Sequence, residues 1–109
     1  MSSRSLSQDY VVRVGKAFNA KTLSIILPPE LVQSLNWTPM DSFAKSKAGP
    51  FIIVCKVDVR YATEPNSTIR LSDGSFIIYT PDFDFSFKEN RDCVGNILAD
   101  GALRITIGN

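Results

Sequence analysis

Hydrophobic and polar positions alternate in the first part of the chain with the period of a β-strand. The run YVVRV at residues 10–14 predicts one strand. In the run TLSIIL at residues 22–27, Leu23, Ile25 and Leu27 share one face, which predicts a second strand with one buried side. The connection between them contains glycine and asparagine, so the two runs indicate a hairpin.

Two consecutive prolines at residues 28–29 interrupt this pattern. A proline has no N–H for a strand ladder, but its fixed φ suits the first turn of a helix. Leu31 and Leu35 then lie on one apolar stripe, which predicts a short helix over residues 29–35. Asn36 follows, and asparagine often ends a helix in the left-handed conformation.

The rest of the chain predicts further strands and no second helix. Strand-like runs at residues 42–47 and 51–59 flank the turn AGP and predict a second hairpin. Asp73-Gly74 and Asp100-Gly101 each lie between two apolar runs, which is a strong signal for a hairpin. The chain is therefore predicted to be mostly β.

The run DFDFSF at residues 82–87 alternates phenylalanine with polar residues, which predicts a strand with one buried and one solvated face. On such a strand Asp82 and Asp84 would share a face, as a metal or glycosidase site requires. No third ligand or base lies close in sequence, and packing explains the alternation. We therefore expect no enzyme and no catalytic residue here.

Composition excludes several classes of function. The chain of 109 residues is predicted to form one domain, or two very small ones that share a core. It has no histidine and two cysteines, Cys55 and Cys93, which removes His-dependent catalysis and the usual zinc sites. We interpret both thiols as structural, and we expect no cofactor or metal. No apolar run is long enough to span a membrane and the first residues lack a signal-peptide core, which predicts a cytoplasmic protein with no membrane partner.

The two halves of the chain differ in charge although the net charge is only +1. Residues 1–57 contain seven Lys or Arg and three Asp or Glu, whereas residues 58–109 contain five and eight. A basic first half is typical of a surface that faces a polyanion. Two solvated surfaces without any partner would give the same counts.

The runs VVRVGK, TLSIILPPELVQSLNW and TPMDSF, within residues 10–57, resemble the N-terminal domain of the AbrB/MazE/SpoVT swapped-hairpin family. The resemblance implies an interlocked dimeric β-barrel with one short helix over residues 10–59. A flexible arm, residues 1–9, would precede it, and a β-rich C-terminal region, residues 60–109, would follow. In the family two chains exchange hairpins, and a second copy would also enlarge the small core of a short chain.

The chain departs from the family pattern at two positions. Ile26 stands where many members have Arg or Thr, and Met40 stands where a glycine commonly precedes the aspartate. The second hairpin of the family domain has two candidates in this chain, residues 42–59 and residues 96–107. The sequence leaves both open.

In the family the basic residues of the first hairpin face duplex DNA, so the resemblance implies a homodimeric transcription regulator. Cations would neutralise phosphates, and small polar residues would bond to the DNA backbone or base edges. The candidates are Arg13, Lys16, Asn19, Lys21, Thr22 and Ser24. Lys45 and Lys47, on the second hairpin, are weaker candidates. The alternative is an antitoxin-like module of the same fold that binds a partner protein through its C-terminal half.

Overall fold

The computed structural model describes residues 8–17, 19 and 21–107. The predicted arm, residues 1–9, therefore lies mostly outside the described residues. The described part contains eight strands, one α-helix and one short 3-10 helix. The strands are β1 (Tyr10–Lys16), β2 (Thr22–Leu27), β3 (Ser42–Ala48), β4 (Phe51–Val57), β5 (Thr68–Arg70), β6 (Phe76–Pro81), β7 (Arg91–Ile97) and β8 (Leu103–Thr106). The helix α1 spans Pro29–Leu35 and the 3-10 helix spans Val59–Tyr61.

All eight strands form one antiparallel sheet in the order β3-β4-β8-β7-β1-β2-β6-β5, curled into an open half-barrel. The predicted mostly β class is confirmed. The first hairpin lies in the middle of the sheet, because β1 pairs with β7 and β2 pairs with β6. Strands from the predicted regions 10–59 and 60–109 thus interleave, so residue 59 is not a boundary between two sheets.

Strand β2 and helix α1 have the predicted bounds, whereas β1 continues past the predicted residues 10–14 to Lys16. In β2, Leu23, Ile25 and Leu27 are fully buried on one face. The helix begins at Pro29, where the missing N–H has no role in the helix. It ends at Asn36, which has a φ of 58° and donates its N–H to the carbonyls of the last turn.

Both candidates for the second hairpin form hairpins in the structure. β3 and β4 pair from Ser42↔Val57 to Ala48↔Phe51, and β7 and β8 pair around the Asp100-Gly101 turn. The two hairpins also join each other, because β4 pairs with β8. The Asp73-Gly74 turn likewise joins β5 to β6, as predicted.

The predicted strand at DFDFSF is wrong, because this run forms an irregular loop. Phe83, Asp84 and Ser86 have φ values of 51°, 62° and 60°, which no strand contains. Asp82 starts a turn: its carboxylate accepts from the N–H of Asp84, and its carbonyl accepts from the N–H of Phe85. Aspartate competes with the strand ladder through such local bonds, and here they prevail over the apolar alternation.

The core fills the concave side of the sheet and is covered there by α1 through Leu31 and Val32. At one end Trp37 packs on Phe43, with ring centroids 4.6 Å apart. Most side chains of this core are fully buried within one chain. The largest are Phe43, Phe76, Leu23, Ile25, Leu27, Leu31, Ile52, Ile78, Leu103 and Ile105. The swapped-hairpin dimer therefore stays a prediction.

Cys55 and Cys93 are free thiols. Cys93 is buried, and that burial raises the pKa of its thiol, whereas Cys55 is half-buried. A neutral, buried thiol packs as a small apolar side chain, as expected for Cys93. Within residues 8–17, 19 and 21–107, no helix is long and apolar enough to cross a membrane.

Candidate nucleic-acid interface

Seven of the eight strands begin or end at the same end of the sheet. Because neighbouring strands are antiparallel, the last residues of β1, β3, β6 and β8 lie beside the first residues of β2, β4 and β7. The loop of residues 82–90 joins β6 to β7 at this end and crosses the ends of β1 and β2. Its Asp82 N–H donates to the carbonyl of Lys21, and its Asn90 lies directly over Gly15.

Basic side chains collect at this end, which we call the basic end. Its cations come from three separate parts of the chain: the first hairpin, the end of β3, and the 82–90 loop with the start of β7. They are Lys16, Lys21, Lys47, Lys88 and Arg91. The acidic side chains of the same end are Asp82, Asp84 and Glu89. The basic end thus carries a net positive charge in a protein that is almost neutral as a whole.

Two of these cations lie on aromatic rings of the loop. The Nζ of Lys47 is 4.7 Å from the ring centroid of Phe85, and the guanidinium of Arg91 is 4.7 Å from that of Phe87. Arg91 also donates a hydrogen bond to the carbonyl of Ile107. Each of the two cation–π contacts is worth about 0.5–1 kcal/mol at an exposed site. They hold the two cations in place beside the loop.

Two cavities adjoin each other at the basic end. The larger, about 400 Å³, is lined by Lys47, Gly49, Pro50, Asp84, Phe85, Arg91 and Ile107. The smaller, about 280 Å³, is lined by Phe85, Ser86, Phe87, Lys88, Glu89 and Arg91. Phe85 and Arg91 line both, so they form the wall that the cavities share.

The structure places three of the predicted DNA-binding residues at the basic end and exposes them to solvent. Lys16 ends β1 and Lys21 precedes β2, with Asn19 in the turn between them. The side-chain oxygen of Asn19 accepts from the backbone N–H of Lys21 at 2.9 Å. Asn19 therefore shapes the turn that presents Lys21, and only its remaining polar atoms are left for an external contact.

The other three predicted residues are less available. Arg13 points outward from the middle of β1, where its guanidinium lies 3.4 Å from the carboxylate of Asp92. Both side chains are more than half exposed, so this ion pair is weak and leaves Arg13 largely solvated. Thr22 is only 6% exposed and Ser24 is half-buried, which leaves little of either hydroxyl for a partner.

The two weaker candidates, Lys45 and Lys47, differ completely in their exposure to solvent. Lys45 is 4% exposed, and its Nζ donates to the carbonyls of Thr63 at 3.1 Å and Pro65 at 2.7 Å, so its role is structural. Lys47 lies two residues further along β3 and is exposed at the basic end. Two residues apart on a strand lie on the same face, so the difference comes from residues 63–65, which cover Lys45.

Sequence reasoning missed Phe85, Lys88 and Arg91. The alternation in DFDFSF predicts a strand that buries Phe85, and the run KENR, residues 88–91, follows it without a pattern of its own. A signal was present, because two aromatic and two basic residues lie within residues 85–91, the combination that single-stranded nucleic-acid sites use. Their placement beside Lys16 depends on the pairing of β7 with β1, which no local pattern encodes.

Acidic side chains predominate at the opposite end of the sheet, which we call the acidic end. The acids there are Asp9, Glu30, Asp41, Asp58, Asp73 and Asp100, and the bases are Lys56, Arg60 and Arg70. Hydrogen bonds from the backbone N–H and the guanidinium of Arg60 lower the pKa of Asp58. The hydroxyl and backbone N–H of Ser75 likewise lower the pKa of Asp73. Both carboxyl groups are therefore ionised at neutral pH.

Among the described residues, no group of three or more His, Cys, Asp or Glu side chains could hold a metal ion. Comparisons with protein-family models, with curated proteins and with solved structures found no match to this chain. The resemblance to the swapped-hairpin family thus stays a prediction that rests on the three runs described above.

Proposed function

We propose that this protein binds duplex DNA through its basic end and acts in the cytoplasm as a transcription regulator of the AbrB-like type. The observation that carries the proposal is the separation of charge along the strands. Cations from three parts of the chain converge at one end, and six carboxylates lie at or near the other. Such a distribution attracts a polyanion to one end and repels it from the other.

The residues that the resemblance implies and those that the fold brings together overlap at Lys16 and Lys21. Both are exposed and flank the turn of the first hairpin, with Asn19 between them. Lys47, Lys88 and Arg91 extend this group along the same end. A row of cations at one end of a sheet suits contacts to successive phosphates, which fix position rather than read sequence.

The test is a salt titration of duplex binding. Fluorescence anisotropy with a labelled duplex gives log affinity against log salt, whose slope reports the number of phosphates neutralised. Replacing one cation, in Lys16→Gln or Lys21→Gln, should make the slope shallower by about 1 for each bound chain. The double variant should make it shallower by about 2 and weaken all duplexes alike.

Arg70→Gln is the matched control. It removes the same charge from an exposed position at the acidic end, so the slope and the affinity should stay as in the unchanged protein. If no duplex binds at low salt, or if the Lys16 and Lys21 variants behave like Arg70→Gln, the DNA proposal is wrong.

The acidic end favours a second candidate, a module that binds a partner protein with a basic surface. Glu30 is exposed there and lies outside the hairpin turns. Binding to such a partner should survive replacement of Lys16 and Lys21 and should weaken in Glu30→Gln. A protein with this behaviour and no affinity for duplex DNA would have the second function instead.

A further inference from the structure

The two adjoining cavities of the basic end have a size and a chemistry that duplex contacts do not use. Phosphates of an intact duplex need only exposed cations, such as Lys16 and Lys21. Cavities of about 400 and 280 Å³ are too small for a duplex, but they are large enough for a small organic group. Their common wall is formed by an aromatic ring, Phe85, and a guanidinium, Arg91.

We propose that these cavities hold one unpaired nucleotide, so that the protein binds a duplex with a single-stranded overhang more tightly than a blunt one. This proposal rests on the proposed function and adds to it the form of DNA that is preferred. The phosphate of the nucleotide would lie between Lys47 and Arg91, which line the larger cavity together. Its base would stack against the Phe85 side chain or the planar guanidinium of Arg91.

The positive charge and the planar side chains of the cavity lining favour a nucleotide as the ligand. Two cations line the larger cavity against a single carboxylate, that of Asp84, so an anion is favoured there. Every nucleobase has a π-face, and stacking on an aromatic side chain contributes without requiring a particular base. Arginine stacks on planar groups and also donates to phosphate, so Arg91 can serve either part of the nucleotide.

The wall is held in place before any ligand binds. Arg91 is fixed by the ring of Phe87 on one side and by the carbonyl of Ile107. Three residues with positive φ, Phe83, Asp84 and Ser86, flank Phe85 and set the course of the loop that carries it. A binding wall that is already ordered loses less conformational entropy when a ligand arrives.

The experiment compares a blunt duplex, the same duplex with a short single-stranded overhang, and a free nucleoside monophosphate as competitor. In the unchanged protein the overhang should raise affinity by about tenfold, the scale of one base stacked on an aromatic side chain. Phe85→Leu and Lys47→Gln should each remove most of this gain. Lys21→Gln, which lies outside the cavities, should weaken both duplexes equally and leave the gain unchanged.

The outcomes separate this proposal from the DNA function itself. Equal affinity for blunt and overhanging duplexes would overturn the nucleotide site while leaving duplex binding in place. If the free monophosphate abolishes the gain in affinity from the overhang, the cavities accept a nucleotide that is either free or part of DNA. The result for Phe85→Leu counts only if this variant keeps the far-UV spectrum and the melting temperature of the unchanged protein. If that variant unfolds, Lys47→Gln decides, because its side chain is exposed on an edge strand.

Discussion

Three hydrogen bonds join Lys45 to Thr63 at the edge of the sheet. The backbone N–H of Lys45 donates to the Thr63 hydroxyl at 3.0 Å, and that hydroxyl lies 3.3 Å from the Lys45 carbonyl. The Lys45 ammonium donates to the Thr63 carbonyl at 3.1 Å. Strand β3 is an edge strand, and Thr63 occupies polar groups on which another chain could pair.

This arrangement predicts an unusual dependence of stability on pH. Burial lowers the pKa of Lys45 to about 8, partly opposed by the charge of Glu64, against 10.5 for an ordinary lysine. Between these two values the unfolded chain binds more protons than the folded one, so the free energy of unfolding should rise with pH. We expect a rise of about 1–2 kcal/mol, because the bonds to two carbonyls offset part of the burial effect.

Lys45→Met provides the control for this prediction, since methionine has a similar length and does not titrate. Urea unfolding of both proteins at several pH values would measure the difference in their stability. That difference should shift in favour of the unchanged protein between about pH 8 and pH 10.5. A difference that is independent of pH would show that Lys45 titrates as an exposed lysine.

Gly95 lies in the core at a position where a side chain does not fit. A Cβ placed there would lie 2.8 Å from a methyl group of Val12 and 3.5 Å from one of Leu103, both buried. Gly95→Ala should therefore lower the free energy of unfolding by about 1–3 kcal/mol through overpacking. In the double variant with Val12→Ala the two effects should not add, because the smaller neighbour makes room. Strict additivity in urea melts would contradict this contact.

Replacing the two leucines of helix α1 should lower the free energy of unfolding by unequal amounts. Leu31 is fully buried in the core, whereas Leu35 is half-buried at the end of the helix. Leu31→Ala should cost about 2–5 kcal/mol, and Leu35→Ala less than about 2 kcal/mol. Pro29→Ala should cost little, because the first helical N–H needs no partner within the helix. Thermal or urea melts of the three variants would rank them, and equal losses at both leucines would contradict the described packing.

The homodimer that the family resemblance implies should respond to dilution in a particular way. The exposed, paired side chains of Val11 and Val94 on the convex face are the apolar surface that we expect a second copy to cover. Because the core is complete within one chain, a dimer formed in this way should dissociate into folded monomers. Sedimentation with circular dichroism over a range of concentrations would follow both properties. A chain that unfolds whenever it dissociates would favour exchanged hairpins instead.

Local patterns predicted the elements of this fold better than their arrangement. The strand at 22–27, the helix and the Asp-Gly hairpins follow from alternation, proline placement and turn chemistry, all of which act over a few residues. The pairing of β1 with β7 joins residues such as Arg13 and Asp92 that are far apart in sequence, and no local pattern specifies it. The same holds for the candidate site. Lys16 and Lys21 were predicted from the sequence. Arg91 lies near them only because β7 pairs with β1.

The central place of the first hairpin also bears on how the protein folds during synthesis. Strands β1 and β2 leave the ribosome well before their outer partners, β6 and β7. Until those strands emerge, the hairpin has two open edges and an uncovered apolar face, a state that is prone to aggregation. Sheets dominated by such distant pairings fold slowly, in milliseconds to seconds. The nascent chain therefore has to keep β1 and β2 soluble until β7 has been made.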